Sequence, residues 1–154
     1  MQLYNKLSAN ERAILIEKAG NRRITLSFYR YHQIKNTSLF RDHLYLMWEK
    51  LDVLGRIYIA SEGINAQLSM PSQNLNEFKT KLDSIDFLNE IRLNVAVEQD
   101  DFSFLKLKVK IRNKIVADGL SENSFDLSNN GTHVNASEFN TLIENPNTLL
   151  VDMR

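Results

Sequence analysis

The sequence predicts an α+β fold with a β-α-β-β-α-β core, and three observations carry the prediction. Apolar and polar residues alternate in four short segments between residues 23 and 98. Two stretches with apolar residues three and four apart fall between those segments at the positions of two helices. A length of 154 residues with 43% hydrophobic residues suits one domain, or one domain and a fragment, and excludes a disordered chain.

Each element follows in order. Ser8 with Glu11 reads as a capping box, each side chain satisfying the other residue's free N–H, and opens a helix that runs to about Gly20. From Arg23 to Tyr31, Ile24, Leu26 and Phe28 alternate with Thr25, Ser27, Tyr29 and Tyr31, the period of a half-buried strand. Asn36 or Thr37 can cap a second helix, whose apolar face is Phe40, Leu44, Met47, Leu51 and Leu54, with Gly55 at its end. Arg56–Ser61 is a strand with Ile57 and Ile59 on one side and Tyr58 on the other. Glu62-Gly63 makes the turn into the strand Ile64–Met70. Pro71 suits the start of a third helix, buried through Leu75, Phe78, Leu82 and Ile85. Residues 92–98 form a fourth strand with Leu93, Val95 and Val97 inward. The arrangement is the ferredoxin-like sandwich that acylphosphatases also use, with two helices on one face of an antiparallel sheet.

A further strand extends this core. Leu105, Leu107, Val109 and Ile111 alternate with Lys106, Lys108, Lys110 and Arg112, the cleanest period-two signal in the chain. It is expected to pair at the sheet edge or pack across its end. The domain so built covers residues 1–119. Residues 120–132 are rich in Ser, Asn, Asp and Gly and read as a linker. Residues 133–154 bring a short helix at 137–144, an Asn145-Pro146-Asn147 turn and an apolar strand at 148–151. They read as the opening of a second, truncated domain.

Composition narrows the function. There is no cysteine, hence no disulfide and no thiolate metal site. No apolar run is long enough to span a bilayer, and residues 1–10 lack the apolar stretch of a signal peptide, so a cytoplasmic protein without a membrane partner is expected. His32, His43 and His133 are scattered, and Asp100-Asp101 reads as an acidic turn, so no metal is expected. No phosphate-binding loop or nucleophile elbow occurs. Formal net charge is zero, which argues against indiscriminate polyanion binding. The charge is segregated, however: cations cluster at 106–114, and acidic residues dominate 83–101.

Several motifs resemble one bacterial family. These are Phe28-Tyr29-Arg30-Tyr31, Glu62-Gly63-Ile64-Asn65, and Lys108-Val109-Lys110 leading to Ile115-Val116-Ala117-Asp118-Gly119. The helix, turn and apolar strand that close on Asp152-Met153-Arg154 resemble the start of a rhodanese domain. Together, from about Arg23 to Arg154, the chain resembles the N-terminal part of the rhodanese-containing tRNA uridine hydroxylases. The resemblance implies conversion of a wobble uridine to 5-hydroxyuridine, with molecular oxygen as co-substrate. It implies tRNA and the protein's own rhodanese domain as partners. The family's catalytic cysteine is expected beyond Arg154, so no catalytic residue and no cofactor are assigned within these residues, and the fragment alone is expected to be inactive.

Three groups of candidate residues follow. Lys106, Lys108, Lys110 and Arg112 project from one side of a strand, about 6.6 Å apart, and can follow a phosphate backbone. Alternatively, edge lysines block edge-to-edge aggregation. Tyr29 and Tyr31 share the side of the first strand away from the helices, where some RNA-binding modules stack bases; otherwise they are packing residues. Glu62 and Asn65 either hold their own turn or, with Arg30 and Arg56, line the junction with the rhodanese site. Gly63 suits a positive φ there. Competing functions are an accessory domain of a rhodanese-type sulfurtransferase, an acylphosphatase and a purely structural domain. The acylphosphatase reading is disfavoured because the loop after the first strand, His32-Gln33-Ile34-Lys35, has no glycine.

Overall fold

A computed structural model describes residues 3–20, 22–116 and 131–152. The chain divides into two compact units, Met1–Leu120 and Ser121–Arg154. In the first, α1 (Ala9–Ala19), β1 (Arg23–Tyr31), α2 (Thr37–Glu49), β2 (Leu54–Ala60), β3 (Gly63–Pro71), α3 (Leu75–Asp83), β4 (Asn94–Val95) and β5 (Leu107–Ile111) follow one another. The sheet order is β4-β1-β3-β2-β5. Pairing is antiparallel throughout except between β2 and β5, which run parallel. The basic strand therefore pairs at the sheet edge.

The capping box forms as its residues dictate. The Ser8 hydroxyl accepts from the Glu11 N–H at 3.2 Å, and the Glu11 carboxylate accepts from the Ser8 N–H at 2.8 Å. The Ser8 N–H on the carboxylate, and after it the Ser8 hydroxyl, favour the ionised form and hold Glu11 below its usual pKa.

One side of the sheet carries the core. Leu26, Phe28, Ile57, Ile59, Ile64, Ala66, Leu68 and Met70 are all buried there, beside Leu44, Trp48, Phe78 and Leu82 of the helices. Trp48 is the hub: Phe28 meets it edge-on at 6.3 Å and Phe78 at 5.6 Å. A contiguous apolar face on alternate residues is what makes burial and β-pairing mutually consistent.

Four expectations change. α2 stops at Glu49, and Leu54 opens β2 instead of closing the helix. The reversal is made by Asp52 at φ 52°, so Gly55 is no cap. Gly55 lies inside β2 because a Cβ there would collide with the Gln67 carbonyl oxygen. Pro71 ends β3, opposite Arg23, and a 3₁₀ turn at Ser72–Asn74 separates it from α3. β4 is only two residues long, and Val95 and Val97 are exposed rather than inward. An edge strand with two paired residues has neighbours on one side only, too few to cover both valines.

A polar network ties α1 to the sheet. Arg23 is buried and donates to the Asp52 carboxylate at 2.8 Å, while Arg12 of α1 reaches the other carboxylate oxygen at 2.8 Å. Arg23 also donates to the Asp52 and Ser69 carbonyls. Burial pushes the Arg23 pKa down, and the bond and charge of Asp52 push it back.

The second unit holds α4 (Ala136–Ile143), capped by Asn135 and Glu138. Asn145 then accepts from the Asn147 N–H at 3.0 Å and closes the expected Asn-Pro-Asn turn. Residues 148–151, expected as a strand, form none among the described residues, and Leu149, Leu150 and Val151 are exposed. A strand needs a ladder partner for its backbone groups, and no described segment supplies one. Most of the expected linker, together with Ala117, Asp118, Gly119 and Arg154, lies outside the described residues.

Candidate nucleic-acid interface

The side of the sheet away from α2 and α3 is built from the alternate residues. Register places Tyr29, Asn65, Tyr58 and Lys110 in one row across β1, β3, β2 and β5. The next row is Ser27, Gln67, Arg56 and Lys108. Lys106 and Arg112 flank β5 at either end, and all four cations of the basic strand are exposed. No carboxylate stands in either row.

The aromatic and cationic groups are organised in pairs. Tyr29 is 49% exposed, and its ring meets Tyr31 edge-on at 6.3 Å. The Arg112 guanidinium lies over the Tyr58 ring at 5.4 Å, and that of Arg56 over Phe104 at 5.8 Å. Lys106, Lys108, Lys110, Arg112, Tyr29, Tyr31 and Arg56 therefore come together on one face. β5 is also an edge strand, so its lysines meet the edge-protecting requirement as well; the two roles are compatible. Its outer side is satisfied at Leu107 by the Asn5 amide, which donates to the Leu107 carbonyl and accepts from its N–H, both at 2.9 Å.

Glu62 and Asn65 do something the sequence did not suggest. The Glu62 carboxylate accepts from the Ile115 N–H at 2.7 Å, and the Asn65 amide donates to the Ile115 carbonyl at 3.2 Å. Both polar groups of one distant residue are thus gripped, and Ile115 is buried. The turn itself is shaped by Gly63, at φ 150°, where a Cβ would collide with the Arg30 carbonyl oxygen. Arg30 stands apart from Arg56: it is opposite Ile64, on the helix-covered side, with its Nε buried and unbonded. The four junction candidates do not form one cluster.

Two boundaries close the open face. The connection from β4 to β5 passes from one edge of the sheet to the other, touching β1 through Asp101 on the Arg23 N–H and Ser103 on Thr25, then reaching Arg56 with Phe104. At the other end lies the gripped Ile115. The loop His32–Asn36 folds on the core through buried Ile34, and His32 stacks on Phe87 at 4.3 Å. Among the described residues no group of His, Asp and Glu could hold a metal ion, and no helix is long and apolar enough to cross a membrane.

Residues 23–115, more than half of the chain, match the model of the UPF0176 acylphosphatase-like domain. The chain belongs to that family. The UPF0176 match runs from the first residue of β1 to the gripped Ile115, so it contains both rows of the open face. A protein of Leptospira interrogans named tRNA uridine(34) hydroxylase is 52% identical over 139 residues, covering 90% of this chain and 38% of that protein. Proteins of the same name from Photorhabdus laumondii and Yersinia pestis are each 44% identical over 153 residues, 99% of this chain and 44% and 43% of theirs. The chain spans less than half the length of these relatives.

Proposed function

We propose that this chain is the RNA-handling N-terminal part of a cytoplasmic tRNA hydroxylase that converts a wobble uridine to 5-hydroxyuridine with molecular oxygen. The catalytic cysteine belongs, on this reading, to a rhodanese domain that residues 133–154 begin and that is supplied beyond Arg154. The reading draws on relatives named tRNA uridine(34) hydroxylase at 44–52% identity. The observation that carries this domain's part in it is the alignment of Lys106, Lys108, Lys110 and Arg112 along the open face. A row of exposed cations beside two rows without a carboxylate attracts a phosphate backbone and releases its counterions.

The test is tRNA binding by the full-length protein at low and moderate salt. Reversing Lys106, Lys108 and Lys110 to glutamate should weaken binding and flatten its salt dependence. The log–log slope should fall by about one unit for each phosphate that is no longer neutralised. Unchanged affinity and slope would remove this domain from tRNA recognition.

A further inference from the structure

We infer that the open face seats an unpaired stretch of RNA, not a duplex, and that Tyr29, Gln67 and Arg56 read its bases. This rests on the tRNA-binding reading above and goes beyond it in naming the RNA form and the residues that discriminate.

The shape is the first argument. The two complete rows are two residues apart along strands spaced about 4.8 Å, roughly 7 Å by 15 Å, and the cations of β5 from Lys106 to Arg112 run about 20 Å along one edge. Recognition of duplex RNA by shape needs contacts to two successive minor grooves, over about 16 base pairs. A patch of this size, closed at both ends, cannot supply them. It is wide enough for a base or two lying flat with their backbone passing along β5.

The chemistry is the second argument. Tyr29, half-exposed and set in a T-shaped pair with Tyr31, offers an aromatic ring on which any base can stack. Two guanidinium planes, held over Phe104 and Tyr58, offer further π-faces and charge without needing to be ordered on binding. Gln67 stands exposed between Ser27 and Arg56, and its amide bonds to no described residue. A free amide has a donor and an acceptor side by side, the arrangement needed to pair with the edge of an unstacked base. Lys108 and Lys110 lie at the end of each row, where the backbone of such a base would run. The lack of any carboxylate in the rows supplies the charge complementarity.

The experiment uses the full-length protein and two fluorescent probes: a single-stranded oligouridylate and a hairpin duplex of equal charge. The expected result is tighter binding of the single strand. Tyr29→Leu should weaken the single strand about tenfold and leave the duplex alone, the usual loss when one base stack is removed. Gln67→Ala should change the ratio of affinities for oligouridylate and oligoadenylate. If Lys108→Glu with Lys110→Glu weakens both probes but Tyr29→Leu and Gln67→Ala leave both unchanged, the protein touches phosphates only. This inference then falls while the tRNA reading stands. If the charge reversal leaves both probes bound as before, the tRNA reading itself falls. If instead Tyr29→Leu and Gln67→Ala lower the melting temperature of the full-length protein and leave RNA affinity intact, the face is covered by the remainder of the polypeptide, and the inference is overturned.

Discussion

The two faces of this sheet are made by alternate residues of the same strands, and they differ in almost everything else. Phe28 is 1% exposed and Tyr29 is 49% exposed, one residue apart on β1. Ile57 is fully buried, whereas its neighbour Arg56 is exposed. The helix-covered face is apolar and closed; the other is polar, aromatic and cationic, with boundaries but no lid among the described residues. The covered face holds the fold, which leaves the open one free to be shaped by a ligand.

The sharpest way to break this comparison is to truncate one residue on each face. Phe28→Ala should cost about 3–5 kcal/mol, since the ring is buried against Trp48 and leaves a cavity. Tyr29→Ala should change stability by no more than about 0.5 kcal/mol. Urea unfolding of both variants measures the pair, and comparable losses would mean that the open face is a second core.

The next largest effect lies at the end of the sheet. Asp52→Ala leaves buried Arg23 without its carboxylate. Loss of one partner of a buried pair costs several kcal/mol, but the Asp52 side chain is 42% exposed and water screens part of the interaction. A loss of roughly 1–3 kcal/mol follows. Arg23→Met should cost less than Asp52→Ala, because the abandoned Asp52 can hydrate whereas the abandoned Arg23 cannot. Thermal unfolding of the two variants decides the order.

Smaller again is the grip on Ile115. Glu62→Ala and Asn65→Ala each remove one bond to its backbone, worth about 0.5–1.5 kcal/mol. The bonds serve a single peptide segment, so the losses should not add, and a double-mutant cycle should report the coupling. Additive losses would mean that the two side chains act separately.

These contrasts also mark how far the sequence could be read. The period-two pattern of β1, β3 and β5 and the 3.6-residue pattern of α2 and α3 announce the covered face, because burial writes its period into local sequence. Alternation alone placed Tyr29 and Tyr58 outward on their strands, but the gathering of Tyr29, Arg56, Lys108 and Lys110 on one face depends on a strand order and register that local sequence left open. The grip of Glu62 and Asn65 on Ile115 was not, since its partners lie 53 and 50 residues away. Arg23 and Asp52 left no local trace either: their pairing depends on a left-handed turn at an aspartate that the apolar spacing of α2 disguised as helix. The misplaced valines of β4 share a cause with residues 148–151. Alternation tells which side chains could face a core, but not whether a neighbour is present to cover them.

The smallest effect on stability belongs to the basic strand, and there the chemistry of the variants separates two roles. Replacing Lys106, Lys108 and Lys110 with glutamate, or all three with alanine, should shift unfolding by no more than about 0.5 kcal/mol, since every one is exposed. An edge strand is guarded by charge of either sign, so the glutamate variant should stay monodisperse in light scattering at high concentration. The alanine variant removes the guard, and concentration-dependent association is expected. RNA affinity sorts the same proteins differently, because glutamate repels phosphate and alanine merely fails to attract it. If the lysines served the edge alone, the glutamate variant would keep its RNA affinity. If they served phosphate alone, the alanine variant would show no association. Loss of affinity in both variants together with association only in the alanine one would establish that a single row of side chains does both jobs.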